Sequence, residues 1–252
     1  MSKEAMKPFG SALEAYYKGE QDVKVIYHRD DGQITEDFIK GYFRDIQNFP
    51  EREKIALGEC RGEIIDIGAG AGRHSLELQD RGYDVLAIDI SDKACEVMRK
   101  RGVKKVKCNT PYEIDDTNFD TILLMGCSIA FVGDLTGLKT FLNHAKSLLN
   151  PNGLILMDSR DVRVTDNPKH LEYQKKNIRA GKYRGEINIC IEFKGVKGEM
   201  FRILHVDPDT LKRIAEENGW DCKVLYKGVE GLYLAKLTQL IQNYKEKIKY
   251  GN

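Results

Sequence analysis

The sequence predicts an α/β protein: a doubly wound, seven-stranded, mostly parallel sheet that ends in an antiparallel hairpin, with an N-terminal helical lid and an antiparallel insertion. Three observations carry this prediction. An apolar run, Ile64-Ile65-Asp66-Ile67, leads into Gly68-Ala69-Gly70-Ala71-Gly72 and then Arg73-His74, the pattern of a buried strand, a tight turn and a helix. Strands alternate with helical stripes from there to Asp158, which implies right-handed crossovers and parallel pairing. Two short strands then flank Gly228 to Gly231 and close the pattern.

Each element has its own signal. Gly68 and Gly70 let the backbone turn sharply and approach a ligand, and Gly72 opens a helix whose free N–H groups face the same point. That helix runs to about Arg81 and stops at Gly82. The second strand is Val85 to Asp89; Ser91 then caps a helix with Ala94, Val97 and Met98 on one face, stopped at Gly102. The third strand spans Val103 to Cys108 and the fourth Phe119 to Met125. Leu138, Phe141, Leu142, Ala145 and Leu148 mark the next crossover helix. Asn150-Pro151-Asn152-Gly153 reads as a turn feeding the fifth strand, Leu154 to Asp158. Asp207 caps a last helix that starts with Pro208, buries Leu211, Ile214 and Ala215, and stops at Asn218-Gly219. Cys222 to Tyr226 and Leu232 to Lys236 form the final hairpin.

The glycine spacing narrows the ligand. A dinucleotide fingerprint counted from Gly68 needs a small residue where this chain has Arg73. The chain instead reads D-x-G-x-G-x-G, which resembles motif I of the class I S-adenosylmethionine (SAM) dependent methyltransferases. The run G-A-G-A-G-R-H-S-L-E-L is similar to their small-molecule branch, and Asn150 to Leu154 to their L-x-P-G-G-x-L segment. The resemblance covers Gly62 to Leu237 in outline and implies a Rossmann-like fold, SAM as methyl donor and S-adenosylhomocysteine as product. It also implies roles for particular residues. Asp66 would orient the methionyl end, and Gly68, Ala69, Gly70 and Gly72 would form the floor. Asp89, at nearly the ~20-residue separation of a ribose-binding acid, would hold the ribose, and Ile90 would touch adenine. Many relatives place an acid just after the third strand; here Asn109 or Thr110 offers the oxygen for the adenine amino group. Met125 and Gly126 would pass beneath the methionine moiety.

The rest of the chain divides into an N-terminal lid (1–61), the SAM-binding core (62–159), an insertion over the acceptor (160–206), the end of the core (207–237) and a helical tail (238–252), all within one domain. Phe9, Leu13, Tyr16 and Tyr17 have helical spacing, and a second lid helix is predicted from Thr35-Glu36-Asp37-Phe38 toward Phe43-Arg44. Tyr16 is the lid residue expected to enclose the sulfonium. Within the insertion, Ile187 to Phe193 and Met200 to Val206 read as two strands, while Asp158, Ser159, Arg160 and Asp161 point toward the acceptor pocket. In the tail, Leu240, Ile241, Tyr244 and Ile248 form a stripe suited to packing on the sheet edge or on another subunit.

Methyl transfer needs alignment and exclusion of water, with a base only where the nucleophile is protonated. Of the five histidines, His170, paired with Asp161, is the candidate base. Forty Lys and Arg against 39 Asp and Glu leave a net charge of +1, which argues against a surface dominated by phosphate contacts. The expected acceptor is a small molecule, an anionic one matching the basic run Lys175, Lys176, Arg179, Lys182 and Arg184. An RNA or protein acceptor, or a SAM-binding regulator without turnover, are the alternatives. Six cysteines without a C-x-x-C pair predict free thiols and no metal, and Cys127 either lines the site or is simply buried. The absence of a long apolar run or a leader-like N-terminus predicts a cytoplasmic location, with no membrane association.

Overall fold

The apolar runs Ile64–Ile67 and Val85–Ile88 are buried at every position, as strands covered by helices on both faces must be. The computed structural model describes residues 1–240, and the expected tail positions Ile241, Tyr244 and Ile248 lie outside them. From the N-terminus the chain forms α1 (Lys3–Tyr17), β1 (Lys24–Arg29), β2 (Ile34–Phe38), α2 (Glu51–Glu59), β3 (Ile64–Ile67), α3 (Arg73–Asp80), β4 (Val85–Ile88), α4 (Asp92–Arg101) and β5 (Lys105–Lys107). It continues with β6 (Phe119–Leu124), α5 (Leu135–Leu148), β7 (Leu149–Arg160), α6 (Pro168–Arg179), β8 (Glu186–Phe193), β9 (Val196–Lys197), β10 (Phe201–Leu204), α7 (Pro208–Glu217), β11 (Trp220–Lys227) and β12 (Leu232–Gln239).

The larger sheet has the order β11-β12-β7-β6-β3-β4-β5, parallel from β7 to β5 and antiparallel at the β12 and β11 edge. Side-chain alternation divides its two faces. Ile65, Ile67, Leu86 and Ile88 pack against Leu138 and Phe141 of α5 and Leu211 and Ile214 of α7. Ile64, Val85 and Leu123 point the other way, to Ala56 and Leu57 of α2 and Leu78 of α3, while Ala87 meets Cys95 and Met98 of α4. Strand order reverses between β3 and β6, so a crevice opens at the carboxyl ends of these strands. This is the doubly wound, Rossmann-like α/β sheet that the sequence predicts, with its terminal hairpin.

The additions differ from their expected form. Thr35 to Phe38 belongs to strand β2, not to a lid helix; Asp31-Gly32 turns the chain, Gly32 takes φ +87°, and Tyr27 pairs with Thr35. The β-rich run Val25-Ile26-Tyr27 before an Asp-Gly pair is a hairpin signal that outweighs the capping signal at Thr35. Two short 3-10 turns, Ile39–Tyr42 and Ile46–Asn48, follow before α2. The N-terminal segment therefore begins with a helix and a hairpin, and the hairpin pairs with the insertion: β10, β8, β1 and β2 form a second, antiparallel sheet, with β9 on β8. Segments 1–61 and 160–206, separate in sequence, share that sheet. The helix α1 joins it to the core, burying Ala5, Phe9 and Leu13 together with Val25, Ile191 and Val97.

Smaller differences have local causes. Asn150 to Gly153 does not interrupt the chain before the fifth strand; it is an irregularity inside β7, where the partner register passes from Phe119↔Leu149 to Thr121↔Leu154. The insertion also carries α6, capped by Asn167 and begun by Pro168. Finally, the expectation of six free thiols is corrected for one pair: Cys95 of α4 and Cys108 after β5 are bonded, with Cα atoms 6.0 Å apart, and Cys60, Cys127, Cys190 and Cys222 are free.

Candidate active site

The turn after β3 is held before any ligand arrives. The N–H groups of Gly68 and Ala69 both donate to the Ile88 carbonyl, at 2.9 and 3.1 Å, which fixes the turn against the end of β4. Gly68 takes φ +74°, and a Cβ there would lie 2.8 Å from Cβ of Ser128. Gly72 takes φ +77°, and a Cβ there would lie 2.8 Å from Val103 Cγ2. Only glycine meets both demands. The Gly70 N–H donates to Asp89 Oδ2 at 3.0 Å, and the Ser91 N–H to Asp89 Oδ1 at 2.9 Å. Burial raises the Asp89 carboxyl above its usual range, opposed by these backbone donors.

Beneath the turn lies a charged cluster that the sequence does not announce. The Glu53 side chain of α2 is fully buried, and it accepts from Arg44 Nη2, Arg73 Nη2 and His74 Nε2, each at 2.9 Å. Burial alone would raise its pKa, but the His74 hydrogen bond and the charges of His74, Arg73 and Arg44 hold it down to about 2. Arg73 also donates to the Gly41 carbonyl at 2.6 Å, and its guanidinium lies 5.6 Å from the Tyr42 ring centroid. Arg52 bridges from Glu53 to Asp158, which in turn accepts from the Cys127 N–H at 2.6 Å. The cluster thus ties α2, α3 and the ends of β6 and β7 to one another. Ala56 and Leu57 are the signal that locates Glu53: it stands three and four residues before them, on the apolar face of a charged helix.

One cavity of ≈ 1180 Å³ opens at these strand ends. It brings together Gly68, Ala69, Gly70, Asp89 and Ile90 with Asn109, Thr110, Met125 and Gly126. Three predicted contacts lie elsewhere. Asp66 is buried under the turn and accepts from Ser75 Oγ at 2.6 Å. Gly72 packs against α4, and Tyr16 stacks on Phe43 with ring centroids 4.7 Å apart. His170 and Asp161 both line the cavity but do not form the expected pair. Arg163 takes both Asp161 oxygens, at 2.8 and 2.7 Å, and His170 Nδ1 meets Thr165 Oγ1 at 3.4 Å. Burial and the charge of Arg29 lower the His170 pKa. Among the described residues no cluster of His, Cys, Asp or Glu has the makings of a metal site.

The Methyltransferase domain family matches residues 64–153. Over most of its length the chain resembles the SAM-dependent methyltransferase of Bacteroides fragilis, whose crystal structure holds S-adenosylhomocysteine. The identity is 32%, the match covers 93% of this chain and 95% of that one, and the TM-score is 0.81. The chain belongs to the class I SAM-dependent methyltransferases. Among curated proteins it is similar to glycine/sarcosine N-methyltransferase of Halorhodospira halochloris, with 29% identity over 53% of this chain and 57% of that protein. It is also similar to demethylmenaquinone methyltransferase of Tropheryma whipplei, with 28% identity over 40% of this chain and 43% of that protein. The chain spans about half the length of the curated relatives it matches.

The methyltransferase site fits its cofactor. The turn at Gly68 leaves no room for a side chain, and the buried Ser128 Oγ beside it has no hydrogen-bond partner among the described residues. The cavity lies just above the ~300–1,000 Å³ usual for a small-molecule site. Its far side is the second sheet, which contributes Ile187, Ile189, Ile203 and His205, with Tyr27 and Gln33 from the hairpin. Cys127 lines the cavity too, at φ +58°, and burial with the nearby Asp158 charge keeps its thiol protonated.

Proposed function

We propose that the protein transfers the methyl group of SAM to a small-molecule acceptor by in-line displacement. The observation that supports this most directly is a single cavity with a closed glycine turn at one end and an added antiparallel sheet at the other. When bound, SAM supplies a methyl group on a sulfonium, ready for displacement by a nucleophile in line with the departing sulfur.

The chain's residues divide the remaining work. Asp89, already oriented by Gly70 and Ser91, receives the ribose hydroxyls, and Ile90 with Asn109 or Thr110 borders the adenine. Gly68, Ala69 and Gly70 form the floor, with Met125 and Gly126 beside the methionyl end. Asp66 acts at one remove, through Ser75 in the first turn of α3. Tyr42, whose ring would lie 3.7 Å from a Cβ on Gly70, and Arg73 flank the same end from the lid side. Tyr16 supports the lid through Phe43. The hairpin and the insertion exclude water from the reacting atoms.

A small-molecule acceptor is supported by the curated relatives, which are named for glycine, sarcosine and demethylmenaquinone. The test is to incubate the protein with methyl-labelled SAM and fractionated cell extract. Label is expected in the small-molecule fraction. Label confined to RNA or protein, or no transfer by a protein that binds SAM, would contradict the proposal.

A further inference from the structure

Four buried side-chain polar atoms lack a hydrogen-bond partner among the described residues, and three of them line the cavity: Gln33 Oε1, Ser128 Oγ and His205 Nδ1. Unpaired buried polar groups are costly, so a cluster of them in one cavity points to a ligand that satisfies them. Ser128 lies at the glycine turn, where the cofactor is expected. Gln33 and His205 belong to the second sheet and the turns beside it.

His205 follows β10, and its N–H donates to the Gly185 carbonyl at 2.9 Å. A Cβ on Gly185 would lie 1.8 Å from the His205 carbonyl oxygen, so the two strands are pressed together here. Arg184, the residue before Gly185, also lines the cavity. The other guanidinium groups of the cavity have carboxylates: Arg29 has Asp31, Arg73 has Glu53 and Arg160 has Glu230. The Arg184 guanidinium has neither an ion pair nor a hydrogen bond among the described residues. Burial, reinforced by the charge of Arg160, lowers the His205 pKa to about 4, so near neutral pH its ring offers one acceptor nitrogen and one N–H. Apolar side chains also line the cavity: Ile187, Ile203 and Phe201 of the second sheet, and Phe131 of the 3-10 turn Ser128–Val132.

We propose that this end of the cavity is the acceptor subsite and takes an anionic molecule with an apolar body and an O–H or N–H group, its acid held by Arg184 and its protic group hydrogen-bonded to His205. The inference rests on the methyltransferase reading and adds the chemical class of the acceptor. A guanidinium fork suits a carboxylate in two-point contact, and the neutral imidazole distinguishes a protic group from its ether.

Calorimetry with 3- and 4-hydroxybenzoate, and with the matching hydroxybenzamides and methoxybenzoates, tests it on the full chain saturated with S-adenosylhomocysteine. At least one hydroxybenzoate is expected to bind about ten-fold more tightly than its amide. Arg184→Met should abolish that preference while Arg184→Lys retains part of it, and His205→Phe should abolish the preference for hydroxyl over methoxy. Amides binding as well as acids in the native protein, an unchanged preference in Arg184→Met, or no binding of any hydroxybenzoate would overturn the proposal. S-adenosylhomocysteine is titrated first in every protein. If the native chain fails to bind it, the methyltransferase reading fails instead.

Discussion

The two ends of the cavity are built on different terms. At the glycine turn the backbone and charged groups hold one another: Gly68 and Ala69 hold Ile88, Gly70 and Ser91 hold Asp89, and Glu53 gathers Arg44, Arg73 and His74, with Ser128 Oγ and Arg44 Nε left unpartnered among the described residues. At the second sheet Gln33 Oε1, His205 Nδ1 and the Arg184 guanidinium stand without partners among the described residues. A site that binds the same cofactor in every turnover gains from being fixed in advance, because little ordering is left to offset binding. A site that selects its ligand keeps its polar groups for that ligand, whose absence from a competitor leaves them unpaired.

The largest effect is expected where the fixed end is unfastened. Glu53→Gln leaves three guanidinium groups and a histidine around a neutral amide, and breaking such a buried cluster costs about 3–5 kcal/mol. Denaturant midpoints should fall accordingly, and S-adenosylhomocysteine binding should weaken with them. An unchanged midpoint would mean that the cluster does not fasten the turn.

Gly68→Ala acts on the same end more locally. The added Cβ meets Ser128 in a left-handed conformation, which costs about 1–3 kcal/mol, so cofactor affinity should fall at least about five-fold while the helical circular dichroism persists. Equal affinity in this variant would show that the turn has slack.

A pH titration sharpens the comparison further. The Glu53 carboxyl has a folded-state pKa of about 2, below its unfolded value of 4.5. Its stabilisation is therefore present above about pH 4.5 and is lost as pH falls toward 2. The native midpoint should decline through that window more steeply than that of Glu53→Gln. The smallest effect belongs to the far end: Gln33→Ala should leave both stability and S-adenosylhomocysteine affinity within about two-fold, since an unpaired side chain there contributes little without the acceptor.

How much of this was legible in the sequence follows the same division. The glycine turn, Asp89 and the strands of the larger sheet are local patterns, written within a few residues of one another. Glu53 was not legible because Glu51-Arg52-Glu53-Lys54 reads as a solvated helix turn, and its partners come from Arg44 and from α3. The second sheet was not legible either, because β1 pairs with β8 across most of the chain. Thr35 to Phe38 is a strand through its local hairpin with β1, and the long-range pairing of β1 with β8 carries that hairpin to the insertion. His170 and Asp161 are not hydrogen-bonded to each other for a local reason: Arg163, two residues from Asp161, occupies the carboxylate. His205 and Arg184 become neighbours only through the pairing of β10 with β8.

One measurement separates the two ends most directly: S-adenosylhomocysteine affinity by calorimetry in Asp89→Asn and in Arg184→Met. Loss of the Asp89 carboxylate should weaken binding about ten-fold or more, and Arg184→Met should leave it within about two-fold of the native value. Native affinity in Asp89→Asn together with weakened binding in Arg184→Met would contradict the assignment of the cofactor to the glycine turn and of the acceptor to the second sheet.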